Sequence, residues 1–169
     1  MVVVVEVVVS VMLLVDEGVA QLQINLIRAA AQSGTVTKSI PSEYYTDPIP
    51  GPDLFTNFPI EAEAELCRHP HLTCPLIRVG IFLYHLTMPH NSKKTYISPF
   101  WAFVDIDHEQ CVFSGDGSQS LVLTHSTDAA AYIERLVGLP SKDWQRKSLI
   151  ASNILQVKDL EPLVEKLTR

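Results

Sequence analysis

The chain opens on MVVVVEVVVSVMLLV, a stretch that is apolar apart from Glu6 and Ser10. Unbroken β-branched valine favours an extended strand, and a strand without polar alternation belongs in a parallel sheet with both faces covered. The run is too short for a membrane-spanning helix, which takes about 20 apolar residues. It also lacks the positive start and small-residue cleavage site of a secretory leader. Val7 to Val15 is therefore the first expected strand. Asp16-Glu17-Gly18 opens an amphipathic helix, with Val19, Leu22, Ile24, Leu26, Ile27 and Ala30 at near-helical spacing and Gly34 at its end. A short strand follows from Val36 to Ile40, and Pro41 stops it. Strand, helix and strand in such close succession make a βαβ crossover, which places the chain in the α/β class.

Residues 41–58, PSEYYTDPIPGPDLFTNF, read as a loop leaving the carboxyl end of a parallel strand. Open α/β sheets bind their ligands at that edge. A helix is expected from Ile60 to Arg68 and a strand from Leu72 to Val79, with Gly80 at its end. After Pro89 aromatic β-formers appear (Tyr96, Phe100, Trp101, Phe103). Cys111-Val-Phe113 and Leu121-Val-Leu123 flank Ser114-Gly-Asp-Gly-Ser118 as the arms and turn of a hairpin. Thr127-Asp128 caps a helix from Ala129 to Val137, which Gly138 and Pro140 end. A strand from Ser148 to Ala151 and a helix from Val157 to Leu167 complete the chain. The pattern divides into an α/β part, residues 1–88, and a smaller α+β lobe, residues 89–169.

A net charge of −6 with no concentration of Lys or Arg excludes the basic surface that nucleic acid or an anionic membrane requires. Cys67, Cys74 and Cys111 form no C-x-x-C pair, and an odd count makes no disulfide framework, so a reducing, cytoplasmic setting is expected. Cys67-x-His69-x-His71-x-x-Cys74 has the ligand chemistry for zinc. It runs from a helix end into a strand, where alternating side chains diverge, and no metal is expected. Gly115-Asp116-Gly117 is turn chemistry. His85, His90, His108 and His125 have no Ser, Cys or Asp partner at a persuasive sequence position.

Four stretches occur in a telling order: Val8-Val-Ser-Val11, Gln23-x-x-Leu26-Ile27-x-Ala29-Ala30-x-x-x-Gly34, Ile40-Pro-Ser-Glu-Tyr44, and Thr127-Asp128 before a helix. Together they resemble the NmrA-like and isoflavone-reductase-like branch of the atypical short-chain dehydrogenases. The third is similar to that family's I-P-S-E-[FY]-G strand end. The resemblance implies a partial Rossmann-like parallel sheet, from the family's fourth strand onward, with a small C-terminal α+β substrate lobe. It implies NAD(P) as cofactor and NAD(P)H-dependent reduction of a small molecule, aromatic compounds among the candidates. By the same resemblance, Ser10, Val11, Met12, Pro41, Ser42 and Glu43 are expected beside the cofactor, and Tyr44, Gly80, Ile81 and Phe82 beside the substrate.

Two departures from the family pattern bear on activity. The family's G-x-x-G-x-x-G loop, which brings backbone amides to the pyrophosphate, lies upstream of every matched stretch. The chain is thus expected to be an N-terminally truncated member that binds NAD(P) poorly alone. The reductase branch's lysine aligns at or close to Ile60, and no Lys stands between Lys38 and Lys93. Acid–base work needs a titratable group within reach, so no catalytic residue is assigned. A non-catalytic regulatory or protein-interaction module is the alternative. Val7 to Val15, deprived of a neighbour, is expected to form an exposed edge through which the chain dimerises.

Overall fold

The computed structural model describes residues 4–14, 16–45, 54–90, 94–97 and 102–168. In chain order its main elements are β1 (Val7–Val9), α1 (Glu17–Gln32), β2 (Lys38–Ile40), α2 (Leu54–Cys67), β3 (Leu76–Arg78), β4 (Ile81–Phe82), β5 (Val104–Asp105) and β6 (Gln110–Cys111). They continue with β7 (Ser120–Thr124), α3 (Ser126–Val137), β8 (Lys147–Leu149), β9 (Asn153–Gln156) and α4 (Leu160–Thr168). Parallel pairing dominates, and the partial Rossmann-like α/β character read from the sequence holds. The chain divides into two compact units, residues 1–78 with 133–149, and residues 79–132 with 150–169.

In the first unit β1 and β2 run parallel with Val8 opposite Ser39, and Lys38 bridges onward to Thr73. The crossover helix α1 starts where the sequence says it should. Asp16 is its N-cap, its carboxylate accepting from the Val19 amide at 2.9 Å. Ala20, Gln23, Ile24, Ile27 and Ala30 form the buried stripe. Ile27 meets Ala62 and Leu66 of α2 together with Leu76 of β3. Residues 133–149 join this unit because β8 pairs in parallel with β3, Ile77 opposite Ser148. The Lys38 ammonium also donates to the Leu139 carbonyl at 2.7 Å and lies over the Trp144 ring.

Several elements differ from expectation. The first strand spans only Val7–Val9, and Val15 lies outside the described residues. Its one described partner, β2, is three residues long, and a strand lasts only as far as its ladder. Nor is it covered on both faces: Val7 and Val8 are half-buried and Val9 is exposed, as are Val4, Val5, Val11 and Leu13. The helix expected from Ile60 begins earlier, at Leu54, and carries Pro59 within it. The expected hairpin does not form. Cys111 belongs to β6, which pairs with β5, whereas β7 runs parallel to β4 and antiparallel to β9. Ser114 to Ser118 therefore connects strands of different sheets, and Leu121 and Leu123 are buried in the core around β7.

The second unit packs Leu86, Val104, Leu121, Leu123, Val157 and Leu160 into one core around β7. The Thr124 hydroxyl lies 2.6 Å from the Val79 carbonyl and 2.8 Å from that of Ile150, holding the ends of the three-stranded sheet together. Among the described residues no helix is long and apolar enough to cross a membrane.

A carboxylate ties the two helices of the first unit. Arg28 of α1 reaches Glu65 of α2 with two bonds of 3.0 Å, and Arg68 and His69 bind the same carboxylate at 2.6 and 3.1 Å. The Arg28 guanidinium foremost holds Glu65 down at about 2. A carboxylate lowered on folding stabilises the fold above its ordinary pKa and loses that contribution as pH falls towards its folded value. Substituting Glu65→Gln is therefore expected to lower the thermal midpoint at pH 7, with the deficit shrinking between about pH 4.5 and pH 2 in pH-resolved thermal melts.

Candidate functional site at the β1–β2 edge

The two parallel strands of the first unit end together, and the residues just beyond them are cross-tied. The Ser10 amide donates to the Ile40 carbonyl at 2.8 Å, the last rung of the pair. Beyond it the Ser42 hydroxyl donates to the Met12 carbonyl at 2.6 Å, and the Tyr44 hydroxyl to the Ser10 carbonyl at 3.1 Å. The Ser10 hydroxyl in turn donates to the Gln23 side-chain oxygen of α1 at 2.7 Å, deep in the unit. Short amide-to-carbonyl bonds spanning two residues, Glu43 to Pro41 and Tyr45 to Glu43, turn the chain back over this edge. Ser10, Val11, Met12, Pro41, Ser42, Glu43 and Tyr44, far apart in sequence, thus meet in one place.

Their exposure divides them. Val11 is exposed, while Met12 and Tyr44 are half-buried. Ser10, Pro41, Ser42 and Glu43 are buried, so they face any ligand mainly with backbone. Glu43 has a second task. Its carboxylate receives the Arg78 guanidinium of β3 at 2.8 Å, and the same nitrogen donates to the Glu43 carbonyl at 3.0 Å. The Arg78 guanidinium also lies 5.4 Å from the Tyr45 ring centre. Both charges are buried, and the second Glu43 oxygen has no hydrogen-bond partner among the described residues. Burial lifts the Glu43 carboxyl above its usual range despite the opposing pull of Arg78. Burial likewise pushes the Tyr44 phenol up to about 12 and raises that of Tyr45. Replacing Ser42 by Ala removes the tie to Met12 and is expected to cost about 1 kcal/mol, measured as a denaturant-midpoint shift with unchanged slope.

Such an edge suits a neutral, hydrogen-bonding ring better than a phosphate. Residues 10–14 and 41–45 contain no Lys, Arg or His, and the one nearby cation, Arg78, is committed to Glu43. The start of α1, the natural anion seat after β1, carries Asp16 and Glu17 instead. The residues present fit the nicotinamide end of NAD(P), a ring bearing one carboxamide, and do not fit its pyrophosphate.

Gly80, Ile81 and Phe82 belong to the second unit, where they form the turn into β4 and β4 itself. Gly80 has φ +66°, and a Cβ placed there would lie 2.2 Å from the Val122 carbonyl oxygen. Its glycine is demanded by backbone approach. Ile60, where the resemblance puts a lysine, lies in α2. In the cysteine–histidine string, His69 binds Glu65 and His71 binds the Ala31 carbonyl at 3.1 Å. Sequence spacing missed one constellation in the second unit. His125 sits between the Tyr84 phenol, 2.8 Å from Nε2, and the Thr127 hydroxyl, 2.6 Å from Nδ1. The only sequence signal was a His two residues before Thr127-Asp128 at a helix start, with Tyr84 far away in the chain.

No family model matches the sequence. The chain is 73% identical over 167 residues to the oxidoreductase swnN of Arthroderma benhamiae, covering 97% of this chain and 52% of that protein. Among solved structures it superposes with a TM-score of 0.70 and 23% identity on AtPrR2 with NADP+ and (+)pinoresinol, covering 97% of this chain and 53% of the other. A pinoresinol-lariciresinol and phenylcoumaran benzylic ether reductase structure, related to isoflavone reductases, gives a TM-score of 0.72 at 15% identity, with 97% and 53% covered. The chain spans about half the length of the curated relative and of the solved reductases it matches. The chain thus shares the fold of these solved reductases over about half of their length and is similar in sequence to a protein named an oxidoreductase.

Proposed function

We propose that this chain supplies the nicotinamide-side part of an NAD(P)H-dependent reductase acting on a small molecule. The observation that carries the proposal is the cross-tied edge, in which Ser42 holds Met12 and Tyr44 holds Ser10 over the ends of two parallel strands. Such an edge is where open α/β sheets take their ligands. The swnN relative is named an oxidoreductase, and a solved neighbour is described with NADP+ and pinoresinol. The backbone at Ser10–Met12 and Pro41–Glu43 contacts the nicotinamide, and Tyr44 contacts the substrate. In the reduction the bound cofactor supplies the hydride, while these residues orient its ring. Titrating the chain with NADPH and following cofactor fluorescence tests the reading; millimolar affinity is expected, and no binding at all would remove it.

Ile60 favours a second reading, a non-catalytic regulator or protein-interaction module of the same family. It stands where the resemblance implies a lysine, and no Lys lies within reach in the sequence. NADPH binding with no turnover of aromatic carbonyl compounds would favour this role, and turnover would exclude it. Self-association through Val4 to Leu13 is a further expectation. Sedimentation analysis should give a dimer, which V9K and V11K dissociate.

A further inference from the structure

We infer that Ser10 and Gln23 form a recognition pair for a primary carboxamide, that of the nicotinamide ring. The inference deepens the cofactor reading and rests on it for the ring's place at the β1–β2 edge. Both residues belong to the first unit: Ser10 follows β1, and Gln23 lies on the buried stripe of α1. They are 5% and 1% exposed, so their polar groups must find partners away from bulk water.

The hydrogen bonds fix what the pair has left to offer. The Ser10 hydroxyl lies 2.7 Å from Gln23 Oε1, an atom that can only accept, so the hydroxyl proton is committed to Gln23. Towards a ligand Ser10 Oγ therefore offers lone pairs alone. The backbone of Ser10 is also engaged, its amide with the Ile40 carbonyl and its carbonyl with the Tyr44 hydroxyl. Gln23 Nε2, by contrast, is a buried donor with no hydrogen-bond partner among the described residues. Most buried side-chain donors are paired, because an unmade bond forfeits the hydration they lost. A primary carboxamide presents the complement of this pair, an N–H donor and a C=O acceptor on one carbon. Set between the two side chains, it closes a ring of hydrogen bonds: Gln23 Nε2–H to the ligand carbonyl, the ligand N–H to Ser10 Oγ, and Ser10 Oγ–H to Gln23 Oε1. All run the same way round, so each polarises the next. A methyl ketone fills only the Gln23 half, and a carboxylate has no N–H to give and meets the Ser10 lone pairs.

The probes are reduced nicotinamide mononucleotide, its 3-acetylpyridine counterpart and its nicotinic acid counterpart, each titrated into the whole chain and followed by two-dimensional NMR. The carboxamide is expected to bind about tenfold more tightly than the methyl ketone, the worth of one hydrogen bond, and the carboxylate more weakly still. The Gln23 side-chain amide resonances should shift with the carboxamide and the ketone. S10A should bind these two ligands alike, and Q23L should bind the carboxamide about tenfold more weakly than the parent. Residues that merely pack the edge would weaken every ligand equally and leave the preference in place. Equal binding of carboxamide and ketone by the parent, or a preference that survives in S10A, would overturn the pair. The parent comparison decides the matter even where a variant fails to fold. Shifts at Ser42–Tyr44 from all the ligands without the preference would sink the pair and spare the cofactor reading, whereas no shift from any ligand at millimolar concentration would remove both.

Discussion

Substituting Arg78→Met is expected to destabilise the first unit by about 3–5 kcal/mol at pH 7, because it leaves a buried carboxylate without its partner. Glu43 is fully buried, and among the described residues one of its oxygens lacks a hydrogen bond and Arg78 is the cation paired with it. The pH dependence has a definite sign. The Glu43 carboxyl is raised on folding, so the folded state binds the extra proton first, and stability falls as pH rises from the ordinary carboxylate range through the folded value. Removing Arg78 lifts that value further. R78M should therefore be relatively more stable in acid than at neutrality, and E43Q should be milder than R78M throughout. Replacing both partners by apolar residues, E43L with R78M, should recover much of the loss, since well-packed apolar groups often match a buried ion pair. Urea unfolding at several pH values would check this series. An R78M protein as stable as the parent at pH 7 would mean that Arg78 does not neutralise Glu43.

The Gly80→Ala substitution should be comparably damaging, for a different reason. Left-handed backbone costs a non-glycine residue roughly 1–2 kcal/mol, and the added methyl would press on the backbone of Val122, where overpacking costs about 1–3 kcal/mol more. Gly34 supplies the control. It has φ +72° but nothing within 4 Å of its would-be Cβ, so G34A should show the strain alone. Denaturant midpoints that fall equally for G34A and G80A would contradict the close approach of β4 to β7.

The contrast between these two glycines shows what a sequence can and cannot disclose. Gly34 was legible as a helix stop because the α1 stripe ends just before it, and Asp16-Glu17-Gly18 was legible as the helix start. Local patterns of that kind carry their own physics. Gly80 marked a turn, but its need for glycine comes from Val122, distant in the chain. The expected hairpin failed for the same reason: a Ser-Gly-Asp-Gly-Ser turn fits many connections, and the pairing of β7 was decided by β4 and β9. At the edge, Ile40-Pro-Ser-Glu-Tyr44 marked the end of a strand, but its ties to Ser10 and Met12 join residues about 30 positions apart and left no sequence pattern. Glu43 is occupied by Arg78, whose one signal was a lone charge inside the apolar run PLIRVG. Tyr84 and His125 gave still less, since neither spacing nor composition joins them.

The central claim is that the ends of β1 and β2 receive a nicotinamide ring and offer nothing to phosphate. The most direct measurement is amide chemical-shift mapping of the whole chain with reduced nicotinamide mononucleotide and, separately, with adenosine 2′,5′-bisphosphate. The nicotinamide half should shift Ser10, Val11, Met12, Ser42, Glu43 and Tyr44, and the adenosine half should leave them in place. Shifts at these amides from the adenosine half, or none from the nicotinamide half at millimolar concentration, would contradict the claim.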